Sequence, residues 1–313
     1  VYGSGTPPVI GGLAVLGGTG DEDVTNLAYA FPAVPDPSTG FGYGADYGVV
    51  FDLSSGAVDP KTGLPIYDVG TRTSNVIGNV DLGDGDNNFV NEAGGLLLTS
   101  DYFRLDSSGT PMAFGTGQQL TNAGLISPGD RAQVQTTNIA GNFQQTSTGT
   151  YFIDVDLDQQ GTGNPVNDQI NVTGAAEVGG SGGLLLMSID QAFGEYTIVH
   201  ADGGVTDTGF TPALATDVVG FQFHTKVENG GQDLVLYADT PSFSSLLYGS
   251  GVTDPNVFRM ATDLDTVEGA IGTANSFNYL TNLLRLQPDQ VALGKAITTL
   301  TPSQAPHLFE ATF

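Results

Sequence analysis

One short segment has the residue spacing of a hydrolase nucleophile. Gly179-Gly180-Ser181-Gly182-Gly183 matches Gly-x-Ser-x-Gly, a pattern in which the serine lies on a sharp turn between a strand and a helix. Here both flanking segments are strand-like and no helical pattern follows. We therefore expect a flexible turn between two strands, and the sequence predicts no catalytic residue.

Acidic residues offer a second kind of chemistry, because calcium prefers several oxygen ligands. The segment DLGDGDNN places Asp81, Asp84 and Asp86 in a glycine-rich loop that partly matches a calcium-binding nonapeptide. That nonapeptide forms its site from tandem copies, and the sequence has one. The alternative is a soluble acidic face. Calcium is the one cofactor considered, and otherwise none is expected.

Basic residues are few and scattered, which limits the enzymes that the chain could resemble. A lyase of the pectate type needs carboxylate-held calcium and a basic residue that abstracts a proton, so Arg104 or Arg131 beside an acidic cluster would be required. Isolated surface ion pairs are the alternative. The three histidines, His200, His224 and His307, have no metal-binding spacing, and structural roles are expected for them.

Composition excludes several classes of protein. The 313 residues include 34 acidic and 8 basic side chains, for a formal charge of -26, which argues against binding to nucleic acid or to anionic lipid. Without cysteine the chain has no disulfides. The longest apolar runs are too short for a membrane helix, so no membrane insertion is expected. The N-terminus is not an intact secretory signal, and we expect a trimmed chain or a fragment.

Alternating apolar and polar residues predict many short strands separated by glycine. In residues 151–158, Ile153, Val155 and Leu157 should face inward, while Asp154, Asp156 and Asp158 should form an outward row that could also gather a cation. Residues 195–202, 220–230 and 232–239 predict further strands. The first of these should place Tyr196, Ile198 and His200 on one face, with Thr197 and Val199 on the other.

Loose internal repeats suggest how these strands are arranged. NEAGGLLLTS (91–100) and TNAGLISPGD (121–130) share the order Asn, Ala, Gly and aliphatic residues, and residues 170–190 contain a similar step. Units of this size cannot bury an apolar face alone, so neighbouring units must stack. The repeats therefore predict a solenoid with a thin continuous core.

The two ends of the chain differ from its middle. Residues 1–75 are rich in proline and glycine, which predicts irregular rungs or a cap. Residues 76–253 carry the strand pattern, and residues 254–313 form a predicted helical tail. Helical spacing is clearest in two apolar sets: Phe277, Leu280, Leu283 and Leu284, then Val291, Leu293, Ile297 and Leu300 after Pro288.

Several segments, taken in order, resemble the C-terminal part of the passenger domains of type V autotransporters. They include VDLGDGDNNFVNEAG (80–94), LTNAGLISPGD (120–130), IAGNFQQTSTGTYFIDVDLD (139–158), NDQINVTGAAEVGGSGGLLL (167–186), YTIVHADGGVTDTGF (196–210) and DLVLYAD (233–239). The helical tail is similar to the segment that precedes the outer-membrane barrel in that family. Residues 1–75 match nothing in it.

The resemblance implies an all-β fold, a right-handed parallel β-helix with a short α-helical C-terminal tail. It implies export through the periplasm and display at the cell surface or outside the cell. The precursor would carry a C-terminal outer-membrane β-barrel, which this chain lacks.

We therefore predict a non-enzymatic structural or adhesive scaffold, the stalk of a passenger domain. Its partners would be other copies of the chain or the surface of a host or neighbouring cell. Self-association into a fibre or layer could use the aromatic residues Phe41, Tyr43, Tyr47 and Phe51. The alternative is that these rings pack on their own rod. Two other functions stay open: a glycan-active, lyase-like enzyme and a phage-type fibre.

Overall fold

A computed structural model describes most of the second half of the chain and part of the first. The described residues are 13–16, 23–26, 75–106, 113–129, 132–160, 162–189, 193–214, 218–248, 251–270 and 276–301.

Strands dominate the described residues up to Asp239. They are β1 (Leu13–Leu16), β2 (Asp23–Asn26), β3 (Asn75–Asp81), β4 (Asn88–Asn91), β5 (Leu96–Arg104), β6 (Gln119–Asn122), β7 (Leu125–Pro128), β8 (Thr136–Ala140), β9 (Asn142–Gln145), β10 (Thr150–Asp156), β11 (Gln169–Val172), β12 (Ala176–Val178), β13 (Ser181–Ser188), β14 (Tyr196–Ala201), β15 (Val205–Asp207), β16 (Thr211–Leu214), β17 (Gln222–Glu228) and β18 (Asp233–Asp239).

These strands form two sheets, with a main apolar core and a smaller separate apolar cluster. The larger sheet has 12 described strands in the order β16-β13-β10-β7-β5-β8-β11-β14-β18-β17, and β3 joins it by pairing with both β5 and β1. The smaller sheet has the order β15-β12-β9-β6-β4-β2, with parallel pairing throughout. Phe89, Phe103, Phe143 and Tyr151 are fully buried in the core.

The predicted all-β right-handed parallel β-helix is wrong. The larger sheet is mixed, because β18 pairs antiparallel with both β14 and β17. The long strand β5 also connects two parts of this sheet, because it pairs with β7 through Leu96–Thr99 and with β8 through Tyr102–Arg104. The fold therefore combines a mixed sheet, a parallel sheet and a helical unit.

The reversal of chain direction has a local cause that periodicity does not reveal. Between β17 and β18, Asn229, Gly230 and Gly231 have φ angles of 51°, 68° and 99°. Backbone in the left-handed region allows a tight turn, and glycine adopts it without steric cost. A short turn can join only antiparallel strands, since parallel neighbours need a long crossover.

The C-terminal helices are more than a short tail, which is a second correction. They are α1 (Phe243–Leu247), α2 (Pro255–Ala270), α3 (Ser276–Arg285) and α4 (Gln290–Leu300). The last two lie where helical spacing predicted them, and Asp289 caps α4 by accepting a hydrogen bond from the Ala292 amide at 2.7 Å. The helices have their own core, which includes Phe243, Leu247 and Ile297.

The predicted outward row of aspartates is also wrong. Asp154 is fully buried, Asp156 is half-buried, and Asp158 lies in a 3₁₀ turn instead of a strand. The alternation in β10 is misleading because its second face is not open to solvent: Phe152 lies there in a buried cluster with Leu98 and Leu185, and the Gln133 amide donates to Asp154 Oδ2. Residues 166–168 pair with the edge of the strand. Alternation of apolar and polar residues predicts a solvent-exposed face only where no other part of the protein covers that face.

The Asn-Ala-Gly repeats have a structural basis in a row of buried amides, here called the amide row: Asn26, Asn91, Asn122 and Gln145. Each side chain donates to the next, at 2.7, 2.7 and 3.2 Å. The repeat glycines leave space for it, since a Cβ at Gly95 would overlap Asn91 Oδ1. Stacked turns thereby satisfy each other's buried polar groups.

The described helices include none that is both long enough and apolar enough to span a membrane. The predicted boundaries near residues 75 and 253 stay predictions. Across the first of them, β1 pairs with β3 and β2 with β4.

Candidate ligand-binding groove

An open groove crosses four neighbouring strands of the larger sheet, β5, β8, β11 and β14. The register of these strands places one outward side chain of each in a line, here called the first row. Its members are Tyr102, Asn138, Asn171 and His200, and each is the Cα partner of the next. In-register parallel strands repeat about every 4.8 Å, so the row presents regularly spaced polar groups.

A second row explains why the surface is concave. It lies two residues further along each strand and comprises Arg104, Ala140, Thr173 and Asp202, all of which line the groove. Ala140 and Thr173 are short, while Arg104 and Asp202 at the two ends are long or charged. The short central side chains form the floor of a groove with a volume of about 560 Å³.

Arg104 closes one end of the groove through an ion pair with Asp81 of β3. Its Nε and Nη2 donate to the two carboxylate oxygens at 2.8 and 2.5 Å. This side-chain hydrogen bond is the main reason why the pKa of Arg104 is raised above its usual value. The guanidinium therefore stays charged, and its charge is largely compensated by Asp81.

His200 lies at the other end, between two carboxylates. Its Nδ1 is 2.5 Å from Asp233 Oδ1, and its Nε2 is 3.4 Å from Asp202 Oδ1. The hydrogen bond to Asp233 and the nearby charge of both aspartates raise the pKa of His200. The protonated imidazolium is thus favoured, as expected beside anionic partners.

A bulge in β14 brings His200 to the groove, contrary to the face predicted from alternation. The register against β18 shifts between Thr197 and Val199, so Ile198 and Val199 are both fully buried. After the bulge, the alternation of inward and outward side chains is shifted by one residue. His200 therefore faces outward while Ala201 is buried. A β-bulge commonly redirects side chains in this way.

The two asparagines in the middle of the first row bond to each other. Asn171 Nδ2 donates to Asn138 Oδ1 at 3.2 Å, and Asn138 Nδ2 donates to the carbonyl of Asp101 at 3.0 Å. Asn171 Oδ1 is a buried atom that has no hydrogen-bond partner among the described residues. Asn138 is exposed, so its amide is the part of this pair that a ligand in the groove can reach.

The calcium hypothesis receives no geometric support. Within the described ranges, which include Asp81, Asp84 and Asp86, no group of three or more His, Asp or Glu side chains is placed to hold a metal ion. Asp81 already accepts hydrogen bonds from Arg104 and from the Gly83 amide. A calcium titration followed by melting temperature tests the hypothesis directly.

Ser181 is the first residue of β13, and Gly179 and Gly180 form the short connection from β12. The Ser181 Oγ is 3.0 Å from Thr150 Oγ1 on the adjacent strand. The neighbouring helix that a nucleophile elbow requires is replaced by a strand. The hydroxyl therefore takes part in a cross-strand hydrogen bond.

A second set of acidic side chains is buried and therefore inaccessible to a ligand. Asp154 and Asp168 are fully buried, and Asp168 accepts from the amides of Asp154 and Gln135 at 2.9 and 2.8 Å. Burial, followed by repulsion from Asp154, raises the pKa of Asp168 well above its usual value. Two neighbouring buried carboxyls favour a protonated form because desolvation disfavours charge.

Other predicted residues lie elsewhere. His224 of β17 stacks on Tyr237, with ring centroids 5.3 Å apart, and approaches Asp239. The residues predicted for self-association, Phe41, Tyr43, Tyr47 and Phe51, lie outside the described residues, as do Arg131 and His307.

Tyr102, Asn138 and Asn171 are not among the residues predicted from the sequence, although a repeated pattern marks the two asparagines. One pattern recurs in three segments: Asn-Ile-Ala-Gly (138–141), Asn-Val-Thr-Gly (171–174) and His-Ala-Asp-Gly (200–203). Each begins with a polar residue of the first row, continues with an apolar residue and then a residue of the second row, and ends with glycine. Aligning them would have placed their first residues in one row. The missing information was that the strands pair in that register.

No protein-family model matches this chain, and no curated protein sequence matches it. The geometry of the groove is therefore the main basis for a proposal about function.

Proposed function

We propose that this protein is a non-enzymatic scaffold, exposed at the cell surface or outside the cell, that binds a ligand through the groove. The observation that carries the proposal is the double row of side chains across four adjacent strands. Its two basic side chains already pair with carboxylates. Such a surface suits binding, because polar groups at fixed positions orient a ligand in a pre-formed site.

The lyase-like alternative is less well supported by the same geometry. That chemistry needs a basic residue that can accept a proton near neutral pH. Arg104 is the described arginine in the groove, and its hydrogen bond with Asp81 raises its pKa. The raised pKa makes Arg104 a still weaker proton acceptor near neutral pH, so it does not suit the role of general base.

The proposed location rests on the resemblance to autotransporter passenger domains and on charge. A formal charge of -26 favours solubility and opposes non-specific association with anionic surfaces. Export through the periplasm and a barrel in the precursor stay predictions. The expected partner is a host or neighbouring cell, or another copy of the chain.

Surface display tests the scaffold proposal. The full chain would be anchored on non-adherent bacteria, and attachment to host or neighbouring cells would be compared with that of bacteria carrying the anchor alone. We expect increased attachment, with no product released from neutral or acidic polysaccharides by the purified chain. Catalytic turnover, or attachment no greater than with the anchor alone, would contradict the proposal.

Self-association is tested separately by sedimentation velocity of the purified chain over a range of concentrations. A concentration-dependent shift to larger species supports a fibre or layer. A monomer at every concentration, with and without calcium, excludes that form of the scaffold. A compact trimer would favour the phage-type fibre instead.

A further inference from the structure

We infer that the groove binds an uncharged oligosaccharide, laid across the four strands with one sugar ring on Tyr102. The inference rests on the proposed function, because it assumes that the groove is the ligand-contacting surface. It adds the chemical class of the ligand and the residues that select it.

The dimensions of the groove suit an extended chain of sugars. From Tyr102 on β5 to His200 on β14 there are three strand spacings, which is about 14 Å. The floor formed by Ala140 and Thr173 runs in the same direction, between Arg104 at one end and Asp202 at the other. A linear oligomer can therefore lie in it with several rings in contact, whereas a small metabolite would fill only one part.

The side chains offer the two contacts that sugars need. Tyr102 is 39% exposed and presents an aromatic ring for the apolar face of a pyranose. Asn138 is exposed and presents its amide to hydroxyl groups, while Asn171 donates to Asn138 Oδ1 and so helps to hold that amide in position. Amides can donate and accept at once, which matches the hydroxyl group of a sugar.

Charge in and around the groove selects against anionic ligands. Arg104 would be the natural contact for a uronate or sulfate, but Asp81 already binds its Nε and Nη2. Asp202 and the net charge of the chain repel further anions. A cationic sugar would have to compete with Arg104 for Asp81 and with His200 for Asp233. A neutral ligand leaves both ion pairs intact.

Calorimetric titration of the full chain tests the inference. The neutral probes are hexamers of β-1,4-glucose, α-1,4-glucose, β-1,4-mannose and β-1,4-galactose, and the charged probes are hexagalacturonate and chitosan hexamer. We expect saturable binding of at least one neutral probe, with little dependence on salt. At high salt, which screens the non-specific attraction of a polycation to a chain of charge -26, both charged probes should bind more weakly. No saturable binding of any neutral probe, or tighter binding of a charged one at high salt, would overturn the inference.

Variants locate the site. Tyr102→Ala should weaken binding of the neutral probe by about tenfold or more, which is the loss expected for an aromatic contact. Asn171→Ala should weaken it by a smaller factor. The matched control is Tyr279→Ala, since Tyr279 is an exposed tyrosine on α3, at 48% exposure, and should bind the probe like the parent. Equal effects of Tyr102→Ala and Tyr279→Ala would place binding elsewhere.

The outcomes separate this inference from the scaffold proposal. If a neutral hexamer binds and is cleaved, the inference stands and the non-enzymatic scaffold fails. If no neutral hexamer binds while displayed chains still attach to cells, the scaffold stands and the inference fails.

Discussion

His200 is the residue whose charge depends most directly on its neighbours in the groove. Its imidazole lies between Asp233 and Asp202, and the hydrogen bond to Asp233 is the main cause of its raised pKa. Asp233 belongs to β18, the strand that pairs antiparallel with β14. Protonation of His200 therefore strengthens a contact between the parallel strands and the final hairpin.

The pKa of His200 should fall toward 6.5 in the variant Asp233→Asn, because its closest anionic partner is lost. A histidine with a raised pKa in the folded state stabilises the protein fully below about pH 6.5, and the effect is lost as pH rises through the raised value. Asp233→Asn should reduce this loss of stability with rising pH. NMR titration of the histidine ring measures the pKa, and Asp239→Asn, which alters the neighbour of His224, is the control. An unchanged pKa would contradict the assignment.

Asp168 should give a separate pH dependence. Its pKa is raised by burial and by Asp154, so its folded form holds a proton that the unfolded form releases near pH 4. Stability from this group is complete below pH 4 and falls as pH rises through the raised pKa. Asp154→Asn removes the repulsion and should make the decline smaller.

The measurement is the free energy of unfolding in urea at a series of pH values. Asp263→Asn, at an exposed position of α2, is the control and should have the same pH profile as the parent. A parental profile for Asp154→Asn would show that the two carboxyls do not interact as described.

At the scale of elements, the amide row holds successive turns of the smaller sheet together. Asn122 accepts from Asn91 Nδ2 at 2.7 Å and donates to Gln145 Oε1 at 3.2 Å. Because these atoms are buried, removing the Asn122 amide leaves Gln145 Oε1 without this donor and Asn91 Nδ2 with one acceptor fewer, away from water. Parallel strands of only three or four residues rely on such contacts as well as on backbone pairing.

Asn122→Ala should lower the free energy of unfolding by about 1–3 kcal/mol, which is the cost of leaving buried polar groups unsatisfied. Chemical denaturation measures the loss. Asn164→Ala is the matched control, because Asn164 is exposed and should change stability by less than about 0.5 kcal/mol. Similar losses in the two variants would mean that the amide row contributes little.

At the scale of the whole molecule, Arg285 joins the helices to the larger sheet. This side chain is 1% exposed, and it donates to Glu268 Oε2 at 2.6 Å and to the carbonyl of Pro241 at 2.7 Å. Its guanidinium lies over the Phe243 ring, 4.5 Å from the centroid. A Cβ at Gly220 would overlap Arg285 Cα, so glycine permits this close approach.

Arg285→Lys should weaken this junction although it keeps the charge, because lysine cannot donate to Glu268 and to backbone carbonyls in the same planar geometry. We expect a loss of about 2–4 kcal/mol in stability, in the range of losses from disrupted buried charge contacts. Hydrogen exchange should accelerate in α1–α4 and leave the core strands unchanged. Arg259→Lys, on the exposed face of α2, is the control. Uniform acceleration in both regions would contradict a local role.

Local patterns in the chain were sufficient to locate many elements. Alternation and glycine spacing predicted β10, β14, β17 and β18, and helical spacing predicted α3 and α4. The Asn-Ala-Gly repeats also marked positions that contact one another, as Asn91 and Asn122 do in the amide row. These features are encoded by neighbouring residues, because side-chain direction follows from the local backbone period.

Long-range packing was needed for everything else. Asp154 is buried where the Gln133 amide, 21 residues earlier, donates to its carboxylate. His200 reaches the groove because a bulge reverses the phase of β14, and β18 runs antiparallel because of the turn at Asn229–Gly231. The groove itself exists only when Tyr102, Asn138, Asn171 and His200 are brought into register from across about 100 residues. Periodicity reports which residues alternate, whereas register, strand direction and solvent access depend on contacts between residues far apart in the chain.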